Sequence, residues 1–202
     1  MTVKIAVLVS GRGSNLQAII DSIEKGYIKN AAVNVVISNK ADAYALERAE
    51  KHGISAVFLD PEGLDRAGYD REILKILKQH DTDLLLLAGY FRLLGSELIE
   101  AYRHRILNIH PSLLPAFKGL HAQKQAFEYG VKVAGCTVHF VDEGLDSGPI
   151  IIQKCVPVLP GDTEETLTAR ILEQEHIIYP EAVRLFVEGK LKVEGRNVIA
   201  LK

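Results

Sequence analysis

Apolar runs rich in β-branched residues recur along the first half of the chain, at Val3 to Val9, Val33 to Ser38, Ala56 to Leu59, Leu84 to Ala88 and Ile106 to Ile109. Each is bounded by polar or glycine-containing segments, and short runs of this kind predict strands. Between them the apolar positions switch to helical spacing, as in Leu16, Ile19, Ile20 and Ile23 and again in Ile73, Leu74 and Leu77. Strand and helix therefore alternate. A parallel crossover needs a dozen or so residues and commonly uses a helix, so the alternation predicts an α/β fold, an open, mostly parallel twisted sheet with helices on both faces.

The second half reads differently. Val131 to Val141 and Pro149 to Val158 are longer apolar runs joined by the polar, glycine-bearing segment Asp142 to Gly148, with no helix between them. Two strands flanking a loop add an antiparallel extension to the sheet in the C-terminal half. A last helix is predicted from Thr163 to about Glu188. Thr163, Glu164 and Glu165 complement the dipole at its start, Gly189 marks its end, and Pro180 is expected to kink or interrupt it.

Composition narrows the class. The chain has 202 residues, and at roughly 150 residues per domain one domain is expected. Apolar residues make up 48% and charged residues 25%, which is not the balance of a disordered or coiled-coil chain. A net charge of -2 excludes the basic footprint of a nucleic-acid groove or an anionic membrane surface. The N-terminal apolar run is too short to span a membrane and lacks a signal-peptide layout, so a cytoplasmic protein is expected. Cys136 and Cys155 form no CxxC pair and suggest neither a disulfide scaffold nor a thiolate zinc site; both are expected to be buried small hydrophobes.

Ser10-Gly11-Arg12-Gly13-Ser14-Asn15 lies where the first strand hands over to the first helix. Free backbone N–H groups and the helix dipole suit that position to an anion such as phosphate. Glycine lets the backbone approach phosphate oxygens and take positive φ angles, while Ser14 and Asn15 can add donors or cap the helix. An ordinary tight turn uses the same residue types and stays open as the alternative. A dinucleotide site fits less well, because GxGxxG fails at Leu16 and Ser38-Asn39-Lys40 stands where a ribose-binding acid is wanted. No lysine occupies the Walker position, so a phosphomonoester is expected rather than NAD or ATP.

Asn108 and His110 sit two residues apart at the carboxyl end of an apolar strand. Alternation puts both on one face, at the sheet edge where α/β folds bind ligands. Asp146 lies in the loop Asp142 to Gly148, whose glycines permit close approach to a neighbouring segment, and so can reach His110. A carboxylate beside an imidazole favours the charged ring and fixes its orientation, allowing it to stabilise negative charge or deliver a proton. Asn108 adds a neutral N–H donor, and the set suits a tetrahedral oxyanion at an acyl carbon. A structural histidine after an apolar strand is the competing reading on these residues alone. His104, His121 and His139 raise a zinc alternative, yet none forms an HxxxH or HExxH pattern, and no GxSxG elbow supports a serine hydrolase.

Three segments together carry a resemblance. Ser10-Gly11-Arg12-Gly13-Ser14-Asn15-Leu16-Gln17, Asn108-Ile109-His110-Pro111-Ser112-Leu113-Leu114-Pro115 and Asp146-Ser147-Gly148-Pro149 are similar to the phosphoribosylglycinamide formyltransferases. The likeness covers nearly the whole chain, including Ile37 to Ala43, Leu87-Ala88-Gly89-Tyr90 and Gln174-Glu175-His176 followed by Tyr179-Pro180. The Asn, His and Asp set marks the wider group of 10-formyltetrahydrofolate-using enzymes, and the SGxGSNLQ turn singles out the glycinamide ribonucleotide branch.

That resemblance implies a single formyltransferase domain over 1–202, with a phosphate-binding half at 1–105 and a catalytic and folate-binding half at 106–202. It assigns the substrate's 5'-phosphate to Gly13, Ser14 and Asn15, and the ribose hydroxyls to Glu175. The folate is expected along Phe91, Arg92, Leu93 and Leu94, with backbone groups meeting the pterin, Leu93 and Leu94 giving apolar contact, and Arg66 near the glutamate tail. Asn108, His110 and Asp146 would surround the formyl group as catalytic residues, Asn108 also touching the donor, with no metal and no covalent enzyme intermediate. The implied partners are glycinamide ribonucleotide and 10-formyltetrahydrofolate, with no nucleic acid and no membrane, in a monomer or homodimer. Arg12 stands where many members carry a small or polar residue, and Phe91 replaces a methionine; neither touches the chemistry.

Three rivals are set against this. Formyltetrahydrofolate hydrolase has no use for the phosphate turn and usually carries an N-terminal regulatory domain. Methionyl-tRNA formyltransferase calls for a basic C-terminal RNA-binding domain. A non-catalytic phosphosugar sensor would keep the turn without needing the polar set.

Overall fold

The computed structural model describes residues 1–201. In chain order its elements are β1 (Val3–Val9), α1 (Ser14–Glu24), β2 (Ala31–Ser38), α2 (Tyr44–Lys51), β3 (Ser55–Phe58), α3 (Arg66–Gln79), β4 (Leu84–Leu87), α4 (Ser96–Ala101) and β5 (Ile106–His110). There follow α5 (Ala122–Tyr129), β6 (Val133–Phe140), β7 (Ile150–Pro157), α6 (Glu164–Val187), β8 (Leu191–Glu194) and β9 (Asn197–Ala200).

All strands join one sheet in the order β3-β2-β1-β4-β5-β6-β7-β9-β8. From β3 to β5 the pairs are parallel, as the alternation predicts, whereas β6 runs antiparallel to both β5 and β7. Because β1 lies between β2 and β4, the connections leaving β1 and β4 diverge and open a crevice at their carboxyl ends, the usual ligand position in such sheets.

Burial on both faces explains the unbroken apolar runs of β1 and β4. On one face a core gathers Leu16 and Ile19 of α1, Ala45 and Ala49 of α2, and Leu167, Ile171 and Ile178 of α6. On the other, Tyr69, Ile73 and Leu77 of α3 meet Leu98 and Ile99 of α4. Helices thus cover both faces, and no helix in the described residues is long and apolar enough to cross a membrane.

Several details depart from expectation. Helix α6 runs through Pro180 without interruption. Pro180 and its neighbour Tyr179 are buried, and the Tyr179 hydroxyl lies 3.0 Å from the carbonyl oxygens of both Leu87 and Leu107, tying this turn of the helix to β4 and β5. Tertiary anchoring outweighs the one backbone bond that proline removes. Cys136 is buried, but Cys155 is exposed, because in the antiparallel register it pairs with Gly135 and so faces away from the Cys136 side. The short elements α2, α4, α5, β8 and β9 do not stand out in the hydrophobic pattern of the sequence.

The C-terminal hairpin packs Leu191, Val193 and Val198 against the core but joins the sheet through one residue pair. β9 pairs with β7 at Ile150 and Asn197, and Arg196 Nη2 donates to the carbonyl of Ser147 at 2.8 Å.

Candidate active site

The first wall of the crevice is the turn after β1. Gly13 has φ 70°, and a Cβ added there would stand 2.6 Å from the Ala45 Cβ, so both conformation and space demand glycine. Gly13 also takes the cap position of α1, with no side-chain cap, which corrects the expectation that Ser14 or Asn15 caps this helix. Both lie inside the first turn, where the N–H groups of Ser14, Asn15 and Leu16 have no helical acceptor and can receive an anion. Arg48 braces the turn, its Nε donating to the Arg12 carbonyl at 2.8 Å and its Nη1 to Gln17 at 3.0 Å. Arg12 itself is exposed. An open groove of about 410 Å³ runs from Ser14 along α1 past Gln17, Asp21 and Lys25, with Arg48 and His176 beside it.

Asn15 turns its side chain inward, where Nδ2 donates to Glu175 at 2.7 Å and Oδ1 is buried without a partner. Burial pushes the Glu175 carboxyl up from its ordinary value, against the pull of the Asn15 hydrogen bond. This bond spans 160 residues of sequence, so the first wall draws on both halves of the chain.

The second wall follows β4. Ser10 N donates to the Gly89 carbonyl at 2.9 Å, and Phe91 N donates to Ser10 Oγ at 3.0 Å while that hydroxyl donates to Asn39 at 2.6 Å. One buried serine therefore fastens the loop after β4 to the end of β1. Phe91 and Leu93 are 62% and 58% exposed, an apolar surface of the kind a flat ring system covers. Leu94 differs from expectation, since its side chain is packed in the core beside α3 and offers a ligand only backbone. Arg92 stacks over the Tyr69 ring at 4.5 Å, and Arg66 is exposed in the first turn of α3.

The third wall is where β5 ends. Asn108 and His110 point to one side of it, and the loop after β6 brings Asp146 to them, with its backbone held at φ 44°. Asp146 Oδ2 stands 3.5 Å from His110 Nδ1 and accepts from Gly119 N at 2.8 Å. His110 Nε2 faces the carbonyl of Phe117 at 2.9 Å. Both ring nitrogens thus face acceptors, and only the doubly protonated ring can donate to both.

A fourth member is His139. The β5–β6 register sets it directly opposite Asn108, and Asn108 Nδ2 lies 3.2 Å from its Nε2. His139 Nδ1 faces the Phe140 carbonyl at 2.8 Å, which places the proton of the neutral ring on Nδ1 and leaves Nε2 to accept from the amide. Burial lowers its pKa below the ordinary 6.5, opposed by the Phe140 carbonyl and by Asp146, whose Oδ1 is 3.8 Å from Nε2. By sequence alone His139 presents itself only as a zinc ligand. Its partnership with Asn108 arises from strand pairing between positions 31 residues apart.

A helix start without a side-chain cap on one side of the crevice and an amide, imidazole and carboxylate converging on the other make an arrangement suited to acyl-group chemistry. The chain belongs to the formyl transferase family, whose model matches residues 3–183. It is 48% identical over 190 residues to the phosphoribosylglycinamide formyltransferase of Escherichia coli K12, covering 94% of this chain and 89% of that protein. The glycinamide ribonucleotide transformylase 1 of Symbiobacterium toebii has a crystal structure that superimposes with a TM-score of 0.97 at 55% identity, over 100% of this chain and 95% of that one. Over 191 residues the chain is also 49% identical to the trifunctional purine biosynthetic protein adenosine-3 of Drosophila pseudoobscura pseudoobscura; this is 94% of the chain but spans 14% of that longer protein.

Proposed function

We propose that the chain transfers the formyl group of 10-formyltetrahydrofolate to the amine of 5'-phosphoribosylglycinamide, giving 5'-phosphoribosyl-N-formylglycinamide and tetrahydrofolate in de novo purine biosynthesis. The observation that carries this reading is the convergence of Asn108, His110 and Asp146 on the same crevice as the uncapped α1 turn. Family membership and the names of the relatives point the same way.

In this reading Gly13, Ser14 and Asn15 hold the 5'-phosphate and Glu175 the ribose hydroxyls. The backbone of Phe91, Arg92, Leu93 and Leu94 meets the pterin, Phe91 and Leu93 supply apolar cover, and Arg66 faces the glutamate tail. The folate supplies the formyl carbon. Asn108 keeps one amide N–H for the formyl oxygen, because the other is directed at His139. His110, held between Asp146 and the Phe117 carbonyl, adds, in its protonated form, charge opposite to that developing on the oxygen as the amine attacks. Asp146 orients and charges His110 and stands beside the proton that must leave the amine for the folate nitrogen, with a water as the carrier. The enzyme works in the cytoplasm on two small molecules, as a monomer or homodimer.

The test is incubation with 10-formyltetrahydrofolate, following tetrahydrofolate release with and without glycinamide ribonucleotide. Release that requires the amine is expected. Equal release without it would make the protein a hydrolase, and none in either case would leave a phosphosugar-binding protein.

A further inference from the structure

The loop that offers Phe91 and Leu93 to the crevice is held at both ends by buried polar groups. Ser10 takes the Phe91 end. At the other, the carboxylate of Asp70, from the second turn of α3, accepts a hydrogen bond from the backbone N–H of Gly95. Asp70 is 2% exposed, an unusual burial for an acid on a helix rich in charge. Burial pushes its carboxyl up from the ordinary value and Glu97 adds to the rise, while the Gly95 N–H, Arg66 and Arg92 pull the other way without offsetting it. Gly95 is matched to it, since an added Cβ would stand 2.7 Å from Asp70 Oδ2 and 3.9 Å from the Cγ of Arg66.

Burying a carboxylate is costly unless it is paired and hydrogen-bonded, and Asp70 takes no part in the chemistry at Asn108 and His110. What it does is join α3 to the loop. Without it, the Gly95 N–H loses its acceptor, and the segment from Phe91 to Gly95 is left with the Ser10 hydrogen bond, the stack of Arg92 on Tyr69 and the packing of Leu94. Two arginines on the same side, Arg66 and Arg92, also lose the negative charge between them.

We propose that Asp70 is a positioning residue for the formyl donor, fixing the far end of the Phe91–Gly95 loop so that the donor meets a preformed surface. This rests on the formyltransferase reading above. The acceptor's phosphate turn is braced by Arg48 instead, which donates to the Arg12 carbonyl and to Gln17, so the effect of Asp70 falls on one substrate.

The experiment compares wild type, Asp70→Ala and Asp70→Asn in steady-state assays with both substrates varied, alongside melting curves and hydrogen exchange of the loop amides. Asp70→Ala should raise the KM for 10-formyltetrahydrofolate by about tenfold, the size expected for an orphaned buried donor. Its KM for the amine substrate and its kcat at saturation should stay within about twofold. Asp70→Asn keeps an oxygen for Gly95 and should recover to within about threefold of wild type. An unchanged donor KM in Asp70→Ala, or equal losses in both KM values that track the melting temperature, would overturn the proposal. If Asp70→Ala does not fold, Gly95→Ala displaces the carboxylate and should give the same donor-selective defect; a Gly95→Ala enzyme with wild-type donor KM would overturn it too. Hydrogen exchange needs no substrate. Should wild type prove unable to use the folate, the functional reading fails by itself, and faster exchange at Phe91 to Gly95 in Asp70→Ala still decides whether Asp70 anchors the loop.

Discussion

The side-chain amide of Asn108 lies 3.2 Å from Nε2 of His139, on the neighbouring antiparallel strand. Since His139 Nδ1 is engaged with the Phe140 carbonyl, the contact fixes which way the Asn108 amide faces. An amide free to flip would show oxygen and nitrogen to His139 by turns; this one keeps its nitrogen on that side. His139→Ala should therefore lower kcat by about tenfold to 100-fold, less than direct loss of an oxyanion donor. The double variant with Asn108→Ala should be no slower than Asn108→Ala alone, because His139 acts through that amide. Additive losses in a double-mutant cycle would show that it acts on its own.

His110→Ala and Asp146→Ala should each reduce kcat by about 100-fold to 1000-fold. Because the two act as a unit across the 3.5 Å contact, combining them should add little. Melting temperatures need to be compared in parallel. A His110→Ala enzyme with near-normal turnover would rule out the mechanism.

Gly13→Ala forces a side chain into a positive-φ position and against Ala45. The strain should cost about 1–3 kcal/mol of stability in urea unfolding. It should also raise the KM for the phosphorylated substrate more than that for the folate, since the N–H groups of the first turn of α1 shift with it. Equal effects on both substrates would remove this turn from phosphate binding.

Acid should weaken the fold through His139. Burial holds its folded-state pKa below the ordinary 6.5, so the unfolded chain takes up a proton that the folded chain refuses. Its contribution is full above pH 6.5 and is lost as the pH falls towards the folded value, by at most about 1.4 kcal/mol per pH unit. Urea unfolding at pH 7.5 and at pH 5.5, as two approximate settings, should show a larger loss in wild type than in His139→Gln. Identical losses would mean that the ring is not buried in its neutral form.

Much of this site is legible along the chain because its signals are local. Two-residue spacing at the end of an apolar strand places Asn108 and His110 together, and the glycine turn marks where α1 begins with its first N–H groups free. His139, Asp70 and Arg48 carry no such mark, and Ser10, although it opens the glycine turn, gives no sign of what it fastens. Each looks ordinary in its own segment, a strand histidine, two helix charges, a strand-end serine. Each acquires its role only from a distant partner, 29 residues away for Ser10 and Asn39 and 25 for Asp70 and Gly95. Short elements are hidden for a different reason. α2 has eight residues, with only Ala45 and Ala49 buried, and α4 has six, too few turns for an apolar period to stand out from a charged loop. Pro180 reads as a helix breaker because the hydroxyl of Tyr179, reaching two strands away, is invisible in one dimension.

The last hairpin has a practical bearing on anyone handling the protein. It meets the sheet at one residue pair, and Arg196 grips the carbonyl next to Asp146. A purification tag spliced straight onto the final strand, or a cut placed after Glu188, thus tugs at the footing of the Asp146 loop while the stretch matched to the family, residues 3–183, stays intact. Weak specific activity from such material would reflect the cloning boundary and not the enzyme.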